Sequence, residues 1–313
     1  MSLTQFSRAL PQAQLAVINT SSGAIYKAFK SLYPQSEYTV AYLKCRVGQV
    51  PAALALCEKE HVFALVLGLS ETALPQQAFL AAVITPAIDL RQPYLRNLFN
   101  QQTLGYCAAI GFQTYLSPPA DVETLKTHYF ESLRLGALRE NIALAEPLLR
   151  EADYVWFDLT TVRASDVRKR KHLMPNGLYA EEACRLVHYI AISDHAKVLF
   201  MHGFSRLPCL SKLTVQLLAQ MIWHLAEGLK GRVEEELLNI SPTMALKEIM
   251  VDMGIKGQEL YFLYSETTQR WWIKVPYNKT DTRWISCDHD DYQMACRGKV
   301  PVRWLWHYQK LNC

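Results

Sequence analysis

The chain predicts an α/β protein built on a doubly wound, mainly parallel sheet, and three observations carry that expectation. Short apolar runs recur along the first two thirds, each bounded by turn residues. Between them lie stretches whose apolar residues fall at helical spacing. Runs this short and this uniformly apolar suit strands covered on both faces, as in a parallel sheet between two helical layers. Strand and helix alternating on this scale is the pattern of a doubly wound fold.

The expected strands are Leu15 to Asn19, Tyr38 to Leu43, Phe63 to Leu69, Leu80 to Ile84, Tyr106 to Gly111, Tyr154 to Leu159 and Lys197 to Met201. Thr20-Ser21-Ser22-Gly23 offers capping hydroxyls to a helix through Ala24 to Phe29. Further helices are expected over Val50 to Glu60 and over Pro93 to Gln101, where Pro93 suits the first helical position. Val122 to Leu138 carries Val122, Leu125, Tyr129, Leu133 and Ala137 at helical period. Tyr179 to Ile190 and Leu213 to Leu229 follow the same rule.

The last third changes character. Glu259 to Tyr264 and Arg270 to Val275 flank a polar turn, Ser265 to Gln269, which is a hairpin signal. Five of the seven tryptophans fall after residue 270, and such rings more often pack a core or an interface than line a ligand site. Asp288-His289-Asp290-Asp291 contains metal-ligand residue types, but acidic residues before a helical stretch favour a capping role. The organisation expected is a single domain over 1–313, with a sheet-and-helix core to about residue 235 and an extension over 236–313.

Bulk properties exclude several classes. Half the residues are hydrophobic and 20% are charged, ordinary values for a globular chain, and the formal charge of +4 is too small to imply nucleic acid. The run Arg168-Lys169-Arg170-Lys171-His172 reads as a solvated loop. The eight cysteines form no C-x-x-C pair, which points to a reducing, cytoplasmic setting without structural zinc. No apolar run approaches the length of a membrane span, and the N-terminus lacks a secretory h-region. Phosphate-binding G-x-x-x-x-G-K, dinucleotide-binding G-x-G-x-x-G and nucleophile G-x-S-x-G patterns are all missing.

Candidate chemistry is placed by the fold. In open α/β sheets ligands bind beyond the carboxyl ends of the strands. The loops there bring Ser70 and Glu71, Thr85 and Asp89, Gln113 and Tyr115, then Asp158, Thr160, Arg163 and Asp166, and finally His202 and Ser205. Asp158 ends an otherwise apolar run, so its carboxylate belongs at the strand's exit. Two carboxylates from neighbouring strands are candidates for acid and base work or for holding a hard cation; the competing reading is a structural ion-pair network. Pro175-Asn176-Gly177 is a turn that launches the helix carrying Glu181 and Glu182.

Tyr154 to Asp166, Pro175-Asn176-Gly177-Leu178-Tyr179-Ala180-Glu181-Glu182-Ala183, and the tail from Arg270-Trp271-Trp272 through Asp291-Tyr292-Gln293 to Arg303-Trp304 resemble the arginase (ureohydrolase) superfamily. The likeness is to a divergent bacterial formimidoylglutamase-like group and extends from about Leu15 to the end. It implies a three-layer α/β/α fold, two manganese ions, hydrolysis of guanidino or formimino C–N bonds, and a homo-oligomer. The family's Gly-Gly and His segment matches Gly68-Leu69-Ser70-Glu71, which has no His. Its Asp-Ala-His-x-Asp segment matches Thr85-Pro86-Ala87-Ile88-Asp89, and its Ser-x-Asp-x-Asp-x-x-Asp-Pro segment places Trp156, Asp158, Thr160 and Arg163 at the polar positions. His202-Gly203-Phe204 stands near a substrate-binding Glu. Only Asp89 and Asp158 match ligand positions, so the expectation is a non-catalytic protein without a cofactor that binds a small molecule or a partner. The alternative is a rebuilt hydrolase holding Mn2+ through Asp89, Asp158 and His202. Arg163, replacing an acidic residue, is expected to lie against Asp89 or Asp158.

Overall fold

The computed structural model describes residues 2–34, 37–70, 77–167, 174–204, 210–235, 246–254, 259–277 and 281–312. Glu71, Ser205, Cys209, Cys313 and the Arg168 to His172 run lie outside the described residues. The chain divides into two compact units. The first comprises Met1–Val122 with Ser132–Arg232, and the second Glu123–Glu131 with Val233–Cys313.

The strands of the large sheet are β1 (Leu15–Asn19), β2 (Val40–Lys44), β3 (Phe63–Leu67), β4 (Phe79–Ile84), β5 (Leu104–Phe112), β6 (Glu131–Arg134), β7 (Tyr154–Asp158) and β8 (Val198–His202). Their order across the eight-stranded sheet is β2-β1-β3-β8-β7-β4-β5-β6. Parallel pairing joins β2 to β1, β1 to β3, β3 to β8, β8 to β7, β7 to β4 and β4 to β5. All five residues of β1, β3 and β8 are buried, and alternate strand residues face opposite ways, so both faces of the sheet are covered.

The helices of this part of the chain are α1 (Leu3–Ala9), α2 (Gly23–Phe29), α3 (Val50–Lys59), α4 (Pro93–Phe99), α5 (Pro119–Thr127), α6 (Leu135–Glu140), α7 (Ala145–Arg150), α8 (Ala180–Ile192) and α9 (Lys212–Lys230). One sheet face, carrying Val17, Leu65, Val155 and Leu199, shares a core with Leu186 and Val187 of α8 and Leu218 and Ile222 of α9. The expected caps are used: Ser22 accepts from the amide of Ala24 at the start of α2, and Pro93 opens α4.

The single helix expected over Val122 to Leu138 is instead α5, β6 and α6. Tyr129 adopts a left-handed backbone, with φ of +52°, and the Phe130 amide turns back to the Leu125 carbonyl at 2.8 Å. That closure stops α5 and releases residues 131–134 to the sheet. Leu133 alone is buried among those four, a pattern that helical and extended backbones satisfy equally well.

The second unit holds β9 (Leu246–Asp252), β10 (Glu259–Ser265), β11 (Trp271–Tyr277) and β12 (Asp281–Cys287), with α10 (His289–Cys296) and α11 (Val302–Asn312). The strands form an antiparallel sheet ordered β12-β11-β10-β9, and β10 with β11 is the expected hairpin. Phe262, Ile273 and Ile285 share its core with Trp271, Trp304 and Tyr292, so these rings pack the tail. Asp288 caps α10 by accepting from the Asp291 amide at 2.9 Å, which fulfils the capping reading of the Asp-His-Asp-Asp run.

Candidate functional site at the carboxyl ends of the strands

The polar residues at the strand exits of the first unit separate into two groups with different partners. At the centre are Asp158 and His202, the last residues of β7 and β8, paired in register. Asp158 caps a short turn over Leu159–Thr161, with Oδ1 accepting from the Thr160 amide at 2.8 Å. Gly203 follows His202 with φ of +79°, and a Cβ placed there would lie 1.8 Å from Asp158 Oδ1. A glycine is therefore required for the two strand exits to approach this closely.

His202 is buried and meets the ring of Tyr94 edge-on, with centroids 4.6 Å apart. Tyr94, in the first turn of α4, donates its hydroxyl to Thr85 Oγ1 at 3.1 Å, and Thr85 donates in turn to the Ala87 carbonyl at 3.0 Å. Burial, reinforced by the Asp158 charge, pushes the Tyr94 phenol far above its ordinary range, so it remains a donor. Tyr94 was not among the expected site residues. Its signal is its place directly after Pro93, at the start of the helix that follows the β4 exit.

Asp89 lies on the loop after β4, which is tied down by Ile88 donating to Ser117 Oγ and Leu90 donating to Asp121. Both carboxylate oxygens of Asp89 are taken by one guanidinium: Arg91 Nε and Nη2 each donate at 2.8 Å, and the Arg91 amide donates to Oδ1 at 3.0 Å. The Arg91 hydrogen bonds hold the Asp89 carboxyl below its usual range, against a smaller effect of burial. The cation at Asp89 is thus Arg91 and not Arg163, because an i,i+2 loop partner reaches it without a long side-chain excursion.

Arg163 does something else. Its Nε donates to Asp166 at 2.9 Å, and its guanidinium lies 4.1 Å from the centroid of Tyr179. Arg139 covers the same ring at 4.5 Å and donates to the Gly177 carbonyl. Burial raises the Asp166 carboxyl, but hydrogen bonds from Arg163, Ser165 and the Ala180 amide outweigh it and the net direction is down. Asp166 thereby braces the start of α8, while Glu182 accepts from the Tyr179 amide at 2.7 Å. The Pro-Asn-Gly turn runs beside the β7 exit: the Leu178 amide donates to the Thr161 carbonyl and the Arg163 amide to the Leu178 carbonyl. A Cβ on Gly177 would sit 2.4 Å from the Thr161 carbonyl oxygen, so this contact also needs a glycine. Gln113 and Tyr115 join this outer group through hydrogen bonds to each other and to Asn176. Ser70 is half-buried just beyond β3.

A binuclear manganese centre needs many carboxylate and imidazole donors aimed at one place. Here the two Asp89 oxygens are held by Arg91, an Asp158 oxygen by the Thr160 amide, and His202 faces Tyr94. Among the described residues no three His, Cys, Asp or Glu side chains come together as a metal-holding group. Among the described residues, the groups at these strand exits do not fit a pair of manganese ions.

No family model matches the chain, and no curated protein matches it by sequence. Solved structures do match. Formiminoglutamase from Trypanosoma cruzi, in its Mn2+2 form, superposes with a TM-score of 0.59 at 14% identity, covering 74% of this chain and 99% of that one. Formimidoylglutamase from Bacillus subtilis gives 0.56 at 16% identity, over 70% of this chain and 87% of that one. Agmatine ureohydrolase of Thermoplasma volcanium gives 0.54 at 14% identity, over 71% and 91%. The matched span is thus narrower than the nearly whole-chain likeness read from the motifs.

Proposed function

From the premise that this chain has the arginase-superfamily fold, we propose that it is a non-catalytic member, acting as a binding or scaffold protein through its strand-exit rim. One observation carries the reading: Arg91 chelates Asp89, one of the two surviving candidate ligands, through both oxygens. A side-chain cation there neutralises the carboxylate without the desolvation that metal capture demands. We place the protein in a reducing, cytoplasmic setting as a homo-oligomer. Support for the first is that Cys45, Cys57, Cys107, Cys184, Cys287 and Cys296 are free thiols, and no helix of the described residues is long and apolar enough to cross a membrane.

The test is metal retention. The protein is incubated with manganese, desalted and analysed by elemental mass spectrometry, then assayed on guanidino and formimino substrates. The expected outcome is no stoichiometric manganese and no turnover. Retention of about one ion per chain with turnover that Asp158→Ala removes would establish instead a rebuilt site on Asp89, Asp158 and His202. Arg91→Ala is the informative companion: if Arg91 is what occupies Asp89, this variant retains more manganese than the parent.

A further inference from the structure

At the other end of the first unit's sheet, where β1 and β2 begin, lies an open cavity of about 590 Å³. Gln14 precedes β1, Thr39 and Val40 open β2, and the remaining walls come from the end of α2, from Leu32, Pro34, Glu37 and Tyr38 on the loop after it, and from Lys230 at the end of α9. The volume lies within the usual span of small-molecule sites. Tyr26, Phe29 and Tyr38 supply the aromatic wall: Phe29 stacks with Tyr38 at 6.1 Å and meets Tyr26 at 5.8 Å. Tyr26 is itself backed by Tyr42, with rings 3.9 Å apart, and the Trp223 indole of α9 donates to the Tyr33 carbonyl, bracing the loop after α2.

The polar lining is rich in donors. Lys30 and Lys230 both face the cavity, and neither forms an ion pair with a described carboxylate. Burial holds the Tyr26 and Tyr38 phenols above their ordinary range, with the Glu227 carboxylate adding to the effect at Tyr38, so both stay protonated. Gln14 uses its carbonyl oxygen to accept from the Thr39 amide, which leaves its amide N–H groups as further donors. Glu37 is the acidic group in the lining and suits a hydroxyl or amine donor. Lysines at the ends of α2 and α9 also complement the helix dipoles, but that role accounts for the charges and not for the ring-walled space between them.

We propose that this cavity binds a flat organic anion, an aromatic ring carrying a phosphate, with the ring against Tyr26, Phe29 and Tyr38 and the phosphate between Lys30 and Lys230. Two ammonium groups match the charge of about −1.5 to −2 on a phosphate monoester near neutrality. The site is on the opposite end of the strands from the rim and does not rest on the reading given to that rim.

The test is calorimetric titration of the full chain with phenyl phosphate. Saturable binding is expected, weakened at least about tenfold in Lys30→Glu/Lys230→Glu and weaker by a similar factor for inorganic phosphate, which lacks the ring. Lys30→Met/Lys230→Met, which removes charge without adding repulsion at the helix ends, should show the same loss with an unchanged circular dichroism spectrum. Absence of saturable binding, equal affinity for inorganic phosphate, or binding that survives both lysine pairs would overturn the assignment.

Discussion

Gly203→Ala is expected to destabilise the first unit by about 2–5 kcal/mol, combining about 1–2 kcal/mol for a side chain in left-handed backbone with about 1–3 kcal/mol of overpacking. The added Cβ meets Asp158 Oδ1 at 1.8 Å, its Cγ at 2.9 Å and the Leu159 amide at 3.0 Å. Asp158 has little room to retreat, because Oδ1 is held by the Thr160 amide and its own carbonyl accepts from Thr161 Oγ1 at 2.7 Å. Urea denaturation measures the effect as a lower midpoint at unchanged slope. A double-mutant cycle with Asp158→Ala separates the two terms. If the clash dominates, the double variant recovers stability relative to Gly203→Ala; a loss below about 1 kcal/mol in the single variant would mean the strand exits yield freely.

The second large effect lies in the other unit. Arg303→Ala should cost about 3–5 kcal/mol, the usual penalty for removing one partner of a buried ion pair. Arg303 donates to Glu131 Oε2 through Nε at 3.0 Å and Nη2 at 2.8 Å, and to the Ser286 carbonyl at 2.7 Å. His307 Nε2 sits 2.9 Å from the other Glu131 oxygen. Burial alone would raise the Glu131 carboxyl, but Arg303 and His307 overcome it and bring it down to about 2. Without Arg303 that carboxylate is left in a poorly solvated place. Replacing both partners, Glu131→Gln with Arg303→Met, should cost much less than the single truncation. Equal losses would show that the ion pair is not what matters.

The same cluster sets a pH dependence with a definite sign. Burial, and then repulsion from Asp288, push the Asp291 carboxyl up from 3.8 to about 6, with Arg303 opposing. The folded form therefore binds a proton more tightly than the unfolded chain. This contribution is fully present below about pH 4 and is lost as pH rises through about 6, by up to about 3 kcal/mol. Glu131 acts the other way: its contribution is present above about 4.5 and fades as pH falls toward 2. The second unit should melt highest between pH 4 and 5 by these groups. Asp291→Asn should raise its melting temperature at pH 7.5 and change little at pH 4; a drop at pH 7.5 would reverse the sign argued here.

Much of the first unit was readable because a buried parallel strand leaves an unbroken apolar signature, as Phe63 to Leu67 does. The hairpin of β10 and β11 was equally plain. β6 was hidden, since the left-handed Tyr129 that ends α5 has no sequence mark of its own. β9 and β12 were hidden too: Lys247, Glu248, Thr282 and Arg283 are exposed and break the apolar run. At the rim, Asp158 and His202 stand where their strands end, and Asp89 lies on the loop after β4. Their partners do not follow from those elements, because a loop decides whether Asp89 meets Arg91 or a residue far along the chain. The role of Arg163 turned on Tyr179 and Asp166, which reach it only through the Pro-Asn-Gly turn.

The strand order has a consequence for how the chain is made. β2-β1-β3 and β4-β5-β6 are each complete by residue 134, yet the two strands that join them, β7 and β8, are the last of the sheet to leave the ribosome. β4 is an open edge until residue 158 emerges and β3 until residue 202, and their sequences, Phe-Leu-Ala-Ala-Val-Ile and Phe-Ala-Leu-Val-Leu, are among the most apolar in the protein. A nascent chain thus carries two sticky half-sheets that must wait for their middle, a window in which unpaired edges invite association with other chains. Fast synthesis through residues 135–202, or shielding by a chaperone over that interval, becomes part of what this topology asks of its host.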